Sequence, residues 1–263
     1  MTFQPIVPGL GIVGWQFLQR TYASQFESFN QSNVLKRDVD YFLENIGSIS
    51  SAEELVGDRR LLTVALGAFG LEDDIDNRFF IKTILEEGTL ANDSLARRLS
   101  DERYEKLSAA FGFGPSEILT TFDSTRMQEV VDLFRTQSFE VAVGEQNDTL
   151  RIALFAQREI QNVIDGNSSD DARWFSVLGN PPLRNMFETA LGLPSQVGQI
   201  DIDDQLEIFR ERANSVFGDG EISQFSQQEN LDRVTNLYLA RSQIDLFSTN
   251  SSSAANALVL LSA

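Results

Sequence analysis

Ser51-Ala-Glu-Glu-Leu-Val-Gly-Asp-Arg-Arg-Leu-Leu-Thr-Val-Ala-Leu-Gly-Ala-Phe-Gly70 is the stretch whose reading decides the fold class. Ser51 with Glu54 three residues on matches a capping box, in which each side chain accepts a hydrogen bond from an amide that a helix's first turn leaves unpaired. A helix is predicted to begin there. Leu55, Leu62, Ala65 and Phe69 share one of its faces, Gly57-Asp58 are placed to divide it in two, and Gly70 ends it.

The same grammar extends toward the amino end. Leu35, Val39, Phe42 and Ile46 recur at helical spacing, and Gly47 is placed to stop that helix with a left-handed residue. Ahead of the polar run Asn30–Asn33, Trp15, Leu18, Tyr22, Phe26 and Phe29 are spaced 3, 4, 4 and 3, which sets five large groups on one helix face. Such a stripe packs either on the protein's own core or on a partner. Replacing Phe26 and Phe29 by polar residues separates the two: loss of folding means core, loss of binding alone means interface.

Toward the carboxyl end, Asp73, Asp74 and Asp76 precede Phe79, Phe80, Ile84 and Leu85 and are expected to sit at the positive end of the next helix, which Gly88 closes. Short helices are predicted from Asp93 or Ser94, and from Ser100 through Tyr104, Leu107 and Phe111 to Gly112–Pro115. Met127 to Val141 and Leu150 to Ile164 give two long faces, and residues 167–170 read as a polar turn after the second. Asn180-Pro181-Pro182 predicts an extended joint, because proline disfavours α geometry in the residue before it. Leu183, Met186, Phe187 and Ala190, then Ile202 to Val216, then Leu231, Val234 and Tyr238 resume helical spacing. The Ser/Asn/Thr tract Ser248–Ser253 reads as a flexible tail.

The expected fold is all-α and multi-helical. Its units are an aromatic-striped helix over 1–33, helical units over 34–115 and 116–247, and a tail over 248–263 with a short apolar end. Four helices end in similar words, Ala68-Phe-Gly-Leu71, Ala110-Phe-Gly-Phe113, Ala190-Leu-Gly-Leu193 and Val216-Phe-Gly218. Two related halves, or one common way of ending a helix, both account for them.

Composition narrows the function classes. With 42% hydrophobic residues and 20 phenylalanines in 263, the chain has enough apolar surface to fold. A net charge of −18 repels phosphate backbones and anionic membranes, so nucleic acid is not an expected partner. No basic residue precedes the apolar stretch of residues 1–13, which lacks the layout of a cleaved secretory signal. The longest apolar run, Ala257–Leu261, falls far short of the ~20 residues of a membrane span, so no membrane insertion is expected.

Histidine and cysteine are both absent. That removes Ser-His-Asp triads, imidazole bases, thiolate nucleophiles and the usual zinc ligands. Carboxylates remain, and a pair with one member held protonated can cleave glycosidic bonds. The clusters Asp73-Asp74, Asp76-Asn77 and Asp201, Asp203, Asp204 lack calcium-loop spacing, and Asp219-Gly220-Glu221-Ile222-Ser223 mimics only the middle of such a loop. Helix capping accounts for these acids. Gly9, Gly11 and Gly14 match a dinucleotide fingerprint only in part, and the doublets Lys36-Arg37, Arg59-Arg60 and Arg97-Arg98 read as ion-pair partners. No catalytic, cofactor or metal residue is assigned.

Tyr41-Phe-Leu-Glu-Asn-Ile46, Asp58-Arg-Arg-Leu-Leu-Thr-Val-Ala-Leu-Gly-Ala-Phe-Gly-Leu71 followed by Asp73-Asp74, Ala110-Phe-Gly-Phe-Gly114 and the opening Gly14-Trp-Gln-Phe-Leu-Gln-Arg-Thr-Tyr22 resemble an uncharacterised bacterial family, domain-of-unknown-function family 1217. The resemblance implies an all-helical fold and frequent association with flagellar gene clusters, with no catalytic residues to carry over. The resulting expectation is a non-catalytic structural or accessory protein of flagellar assembly. It would bind other protein subunits through Trp15, Leu18, Tyr22, Phe26 and Phe29 and through Leu258, Leu260 and Leu261 near the carboxyl end. It would stay in the cytoplasm or be exported without a cleaved signal. A carboxylate-dependent glycan hydrolase at the cell wall and a cytoplasmic chaperone of an exported subunit are the alternatives.

Overall fold

The computed structural model describes residues 3–166 and 169–261, with side chains as far as residue 246. All regular structure among them is helical, as expected. The chain forms two units, Met1–Ile6 with Thr21–Val143 and Val7–Arg20 with Gly144–Ala263. Helix α1 (Gly11–Asn30) contributes its first half to the second unit and the rest to the first, so it is not a unit of its own.

In the first unit come α2 (Asn33–Asn45), α3 (Ala52–Gly57), α4 (Arg59–Ala68), α5 (Arg78–Glu87), α6 (Leu95–Arg98), α7 (Arg103–Phe111) and α8 (Ser124–Gly144). Helix α2 packs on α4, α3 on α4 and α5, and α5 on α6 and α7. Met127, Val130, Val131 and Phe134 of α8 join the same core as Phe42, Leu62 and Phe111. The divide between units falls in the last turn of α8, between Val143 and Gly144, where the expected boundary was 115/116.

Local chemistry explains the helix ends. The Ser51 hydroxyl accepts from the Glu54 amide at 3.2 Å, while the Glu54 carboxylate reaches one residue further back, to the Ser50 amide at 2.7 Å. Asp58 makes the predicted division between α3 and α4 by accepting from the Arg60 and Leu61 amides at 2.9 and 3.1 Å. Two expectations are corrected. Gly47 lies within a 3-10 turn, Ile46–Ser48, and is not left-handed, because α2 tightens before it stops. Asp74 and Asp76 do not cap α5; they tie to Tyr104 and Arg59 in other helices, at 2.6 Å each.

The second unit holds α9 (Asp148–Gly166), α10 (Asp170–Leu178), α11 (Pro181–Leu191), α12 (Ile202–Phe217) and α13 (Gln228–Leu261). Helix α11 is central, packed on α9, α10, α12 and α13. Its core is aromatic: Trp174 meets Phe187 and Phe209 edge-on with centroids 5.6 and 5.9 Å apart, and Phe187 meets Phe225 at 5.2 Å. Asn180 is extended and caps α11 through the Leu183 amide at 3.3 Å. Pro181 and Pro182 thus open a helix, where a missing N–H costs nothing, and the predicted joint shrinks to one residue. Ser169 caps α10; residues 167 and 168 of the predicted polar turn lie outside the described residues. The Ser/Asn/Thr tract of the expected tail lies on the helical backbone of α13, which continues to Leu261.

The glycine in each of the four recurring words has a positive φ, between 65° and 89°. At Gly70 and Gly192 the following leucine amide reaches back to Leu66 and Glu188 carbonyls at 3.0 and 2.9 Å, whereas Gly112 and Gly218 close on Ser108 and Asn214 at 3.0 and 2.8 Å. Each unit uses the first form and then the second. The order is also shared further back: a serine-capped helix (α3, α10), an Asp- or Asn-capped helix (α4, α11), then the glycine, a 3-10 turn and the next helix.

Candidate functional site

The aromatic stripe divides along α1. Trp15 and Leu18 are 3% and 0% exposed, so they are core residues and not the interface expected of them. Tyr22, Phe26 and Phe29 are half-buried and turn toward one ring, Phe139 of α8, edge to face with centroids 5.3, 5.5 and 5.6 Å away. Tyr22 and Phe26 also stack on each other, 5.6 Å apart and 9° from parallel. Leu258, Leu260 and Leu261 lie on the helical backbone of α13, and their side chains are outside those described.

An open groove of about 780 Å³ in the first unit runs past the Tyr22–Phe26 stack. Helix α1 supplies Tyr22, Ala23, Phe26, Glu27 and Asn30 to it, α2 supplies Lys36 and Asp40, and α8 supplies Arg135. Apolar ring surface and both signs of charge therefore share one concavity. Arg135 is paired with Asp132 at 3.1 Å. The Asn30 side-chain oxygen is shielded and accepts no hydrogen bond within the described protein, a group that a ligand's donor would satisfy. Lys36 and Arg135 are invisible to a pattern search, because they come from separate helices that meet only in the fold.

The acids expected to act as caps and ion-pair partners are placed individually. Asp201 accepts from the Asp203 amide at 3.0 Å and so caps α12. The Asp219-Gly220-Glu221 fragment is a tied loop: Trp174 donates its indole N–H to the Gly220 carbonyl at 2.9 Å, and the Ile222 amide donates to Asp170 at 2.8 Å. Arg59 pairs with Asp76 at 2.6 Å and Arg97 with Glu105 at 3.6 Å. No group of three carboxylates among the described residues is placed to hold a metal ion. Gly11 and Gly14 serve packing: a Cβ on Gly14 would meet the Gly9 carbonyl oxygen at 2.7 Å.

Several carboxyls have their acidity altered, and all in one direction. The Lys82 ammonium holds Glu53 below the usual range, the Ser50 amide and hydroxyl do so for Glu54, and the Arg59 guanidinium does so for Asp76. Burial pushes Asp58 up, but the Tyr41 hydroxyl at 2.6 Å and the Leu61 and Arg60 amides outweigh it and leave the group low. These are ionised acceptors, the opposite of what a proton donor to a glycosidic oxygen requires.

The residues behind the family resemblance work on the fold. Tyr41 holds the Asp58 cap, Arg60 lies over the Tyr41 ring at 3.7 Å, and Arg103 clamps Asp101 while donating to the Gly70 carbonyl at the end of α4. No helix among the described residues is long and apolar enough to cross a membrane.

The X-ray crystal structure of an Agrobacterium tumefaciens protein, a structural-genomics target, is similar, with a TM-score of 0.73 over 92% of this chain and 99% of that one. At 21% identity the likeness concerns the fold alone. No curated protein matches. A family described as a protein of unknown function, DUF1217, matches residues 68–231, which takes in all four glycine-ended helix words, and the chain belongs to that family.

Proposed function

We propose that this protein is a non-catalytic structural or accessory component of flagellar assembly that works by binding other protein subunits. The observation that supports this most is the groove at Tyr22 and Phe26. Partly exposed stacked rings beside Lys36 and Asp40 suit the apolar face and flanking charges of a partner helix. The flagellar setting rests on the family resemblance. The absence of histidine and cysteine, and carboxyls tuned toward ionisation, agree with a binding role.

The test uses Ala23→Arg and Lys36→Glu, both at exposed positions of the groove. Wild type and each variant are crosslinked in motile cells, and the captured proteins and their compartment are identified. Flagellar subunits captured by wild type and lost with either variant support the reading. The same subunits captured by all three proteins overturn the groove, and capture of none of them overturns the flagellar role. Capture only in the cytoplasm, of a subunit before its export, identifies a chaperone.

A further inference from the structure

Helices α4 and α11 end alike, on the left-handed glycines Gly70 and Gly192, and an arginine from a later helix lies over each glycine. In the first unit Arg103 donates from Nη1 to the Gly70 carbonyl. It closes the rest of its fork on Asp101, with Nε 3.0 Å from both carboxylate oxygens and Nη2 2.7 Å from one of them. In the second unit Arg241 lies so close over Gly192 that a Cβ there would overlap Nη1 and stand 2.9 Å from Cζ. Its Nη1 donates to the Thr189 carbonyl at 3.3 Å, while Nε and Nη2 meet no acceptor among the described residues. Arg241 also lines an open pocket of about 360 Å³, whose wall includes Leu193 and Pro194 and, from the next turn of α13, Ile244 and Asp245. Ile244 is 64% exposed.

Capping of α11 does not account for Arg241. The Leu193 and Gly192 amides donate to the Glu188 and Thr189 carbonyls at 2.9 and 3.1 Å, and Arg212 donates Nε to the Leu191 carbonyl at 2.8 Å. The Thr189 oxygen therefore has a donor without Arg241, whose own bond to it is long. A guanidinium presents its donors in a fixed, planar fork, so a half-buried one with Nε and Nη2 unmet suits a planar pair of acceptors.

We propose that Arg241 is a docking point for an acidic side chain, aspartate or glutamate, presented by a partner protein beside an apolar residue. The first unit supplies the precedent. Arg103 comes from the start of α7 and Arg241 from the interior of α13, so the two are alike in place and not in sequence position, and what Arg103 holds there is the Asp101 carboxylate. It does so at a helix carboxyl end, where the negative end of the dipole alone would repel an acid, because the guanidinium stands between. Parallel charge-assisted bonds favour a carboxylate over a neutral amide. Leu193, Pro194 and Ile244 offer apolar surface to the occupant's neighbouring residue, which a free small carboxylate would leave uncovered. Asp245 on the same wall repels a doubly charged phosphate more than a singly charged carboxylate.

NMR titration of the isotope-labelled full chain with a capped leucine-glutamate-leucine peptide, followed at the Arg241 Nε–H and the Gly192 amide, tests this. The expected result is a saturable shift at both, with binding at least about tenfold tighter than that of the same peptide carrying glutamine. Arg241→Lys keeps the charge and loses the fork, and should weaken the glutamate peptide at least about tenfold with unchanged circular dichroism. Should that variant fail to fold, the glutamate and glutamine peptides compared on wild type decide. No binding, equal binding of the two peptides, or full binding by a folded Arg241→Lys overturns the proposal. Acetate binding as tightly as the peptide assigns the site to small carboxylates and overturns it, as does phosphate binding more tightly. Binding that appears only in Asp245→Asn makes Asp245 the counter-ion of Arg241 and overturns it too. Lys36→Glu, in the groove of the first unit, should bind the peptide as wild type does, so failure of the groove reading and failure of this one are separable.

Discussion

Gly88 and Gly114 touch backbone to backbone: a Cβ on Gly88 would sit 2.7 Å from the Gly114 Cα, and the Glu117 carboxylate closes over both. Gly88 ends α5 with φ 69° and ψ −157°, a region open essentially to glycine alone. Gly114 is the last residue of Ala110-Phe-Gly-Phe-Gly114, so one of the family-like motifs exists to let two chain segments meet.

Gly88→Ala should therefore destabilise by about 1–3 kcal/mol from backbone strain alone, with the steric contact adding to it. Thermal unfolding followed by circular dichroism measures this. Gly57→Ala is the control, because open space lies where its Cβ would go.

Glu117 accepts from the Thr89 amide at 2.5 Å, the Thr89 hydroxyl at 2.7 Å and the Gly114 amide at 3.2 Å. Glu117→Ala leaves these donors without their charged acceptor and should cost about 1.5–3 kcal/mol, read from urea midpoints. Rescue toward wild type by Glu117→Gln would show that geometry matters more than charge.

Phe139 is fully buried beneath the edges of Tyr22, Phe26 and Phe29. Phe139→Ala should destabilise by about 3–5 kcal/mol, and groove binding should fall with it because the ring stack loses its support. Stability and partner capture measured on the same variant check both halves of this expectation.

Asp58 caps α4 and is held below the usual aspartate range, so its contribution is complete above the unfolded carboxyl's titration and is lost as pH falls through the lower folded value. Asp58→Ala should cost about 0.5–2 kcal/mol at neutral pH. The difference from wild type should vanish in strong acid. Urea unfolding at pH 7 and pH 3 gives the sign directly.

Trp15 and Trp174 are 3% and 0% exposed, so both indoles should emit at short wavelength and resist acrylamide quenching until the protein unfolds. Trp174→Phe removes the hydrogen bond to the Gly220 carbonyl and should loosen the 219–222 loop, which increased amide exchange at Ile222 would reveal.

Much of the fold was legible because helix ends are written locally. Ser51, Asp58 and Gly70 each act on amides or carbonyls within a few residues, so their roles can be read from spacing. Asp74 and Asp76 misled because an acid before a helix is normally a cap, and Tyr104 and Arg59, the groups that claim them, are remote in sequence. Pro181-Pro182 misled for a related reason: proline forbids helix before it but permits helix after it, and Asn180 used that freedom. The stripe from Trp15 to Phe29 was correct as a helix face, yet periodicity does not say what covers a face.

By itself the sequence determined an all-α chain, those helix starts and stops that Ser51, Asp58 and the recurring glycines mark, and a chemistry without imidazole or thiol. These depend on residue identity and on contacts within a turn or two. Only the tertiary structure decided that Trp15 and Leu18 are core while Tyr22 and Phe26 border a groove, that Gly88 and Gly114 touch, and that Arg241 lies over Gly192. Each brings together residues far apart in the chain. Such pairings are set by which faces can be buried together, a property of the packed molecule that no local pattern encodes.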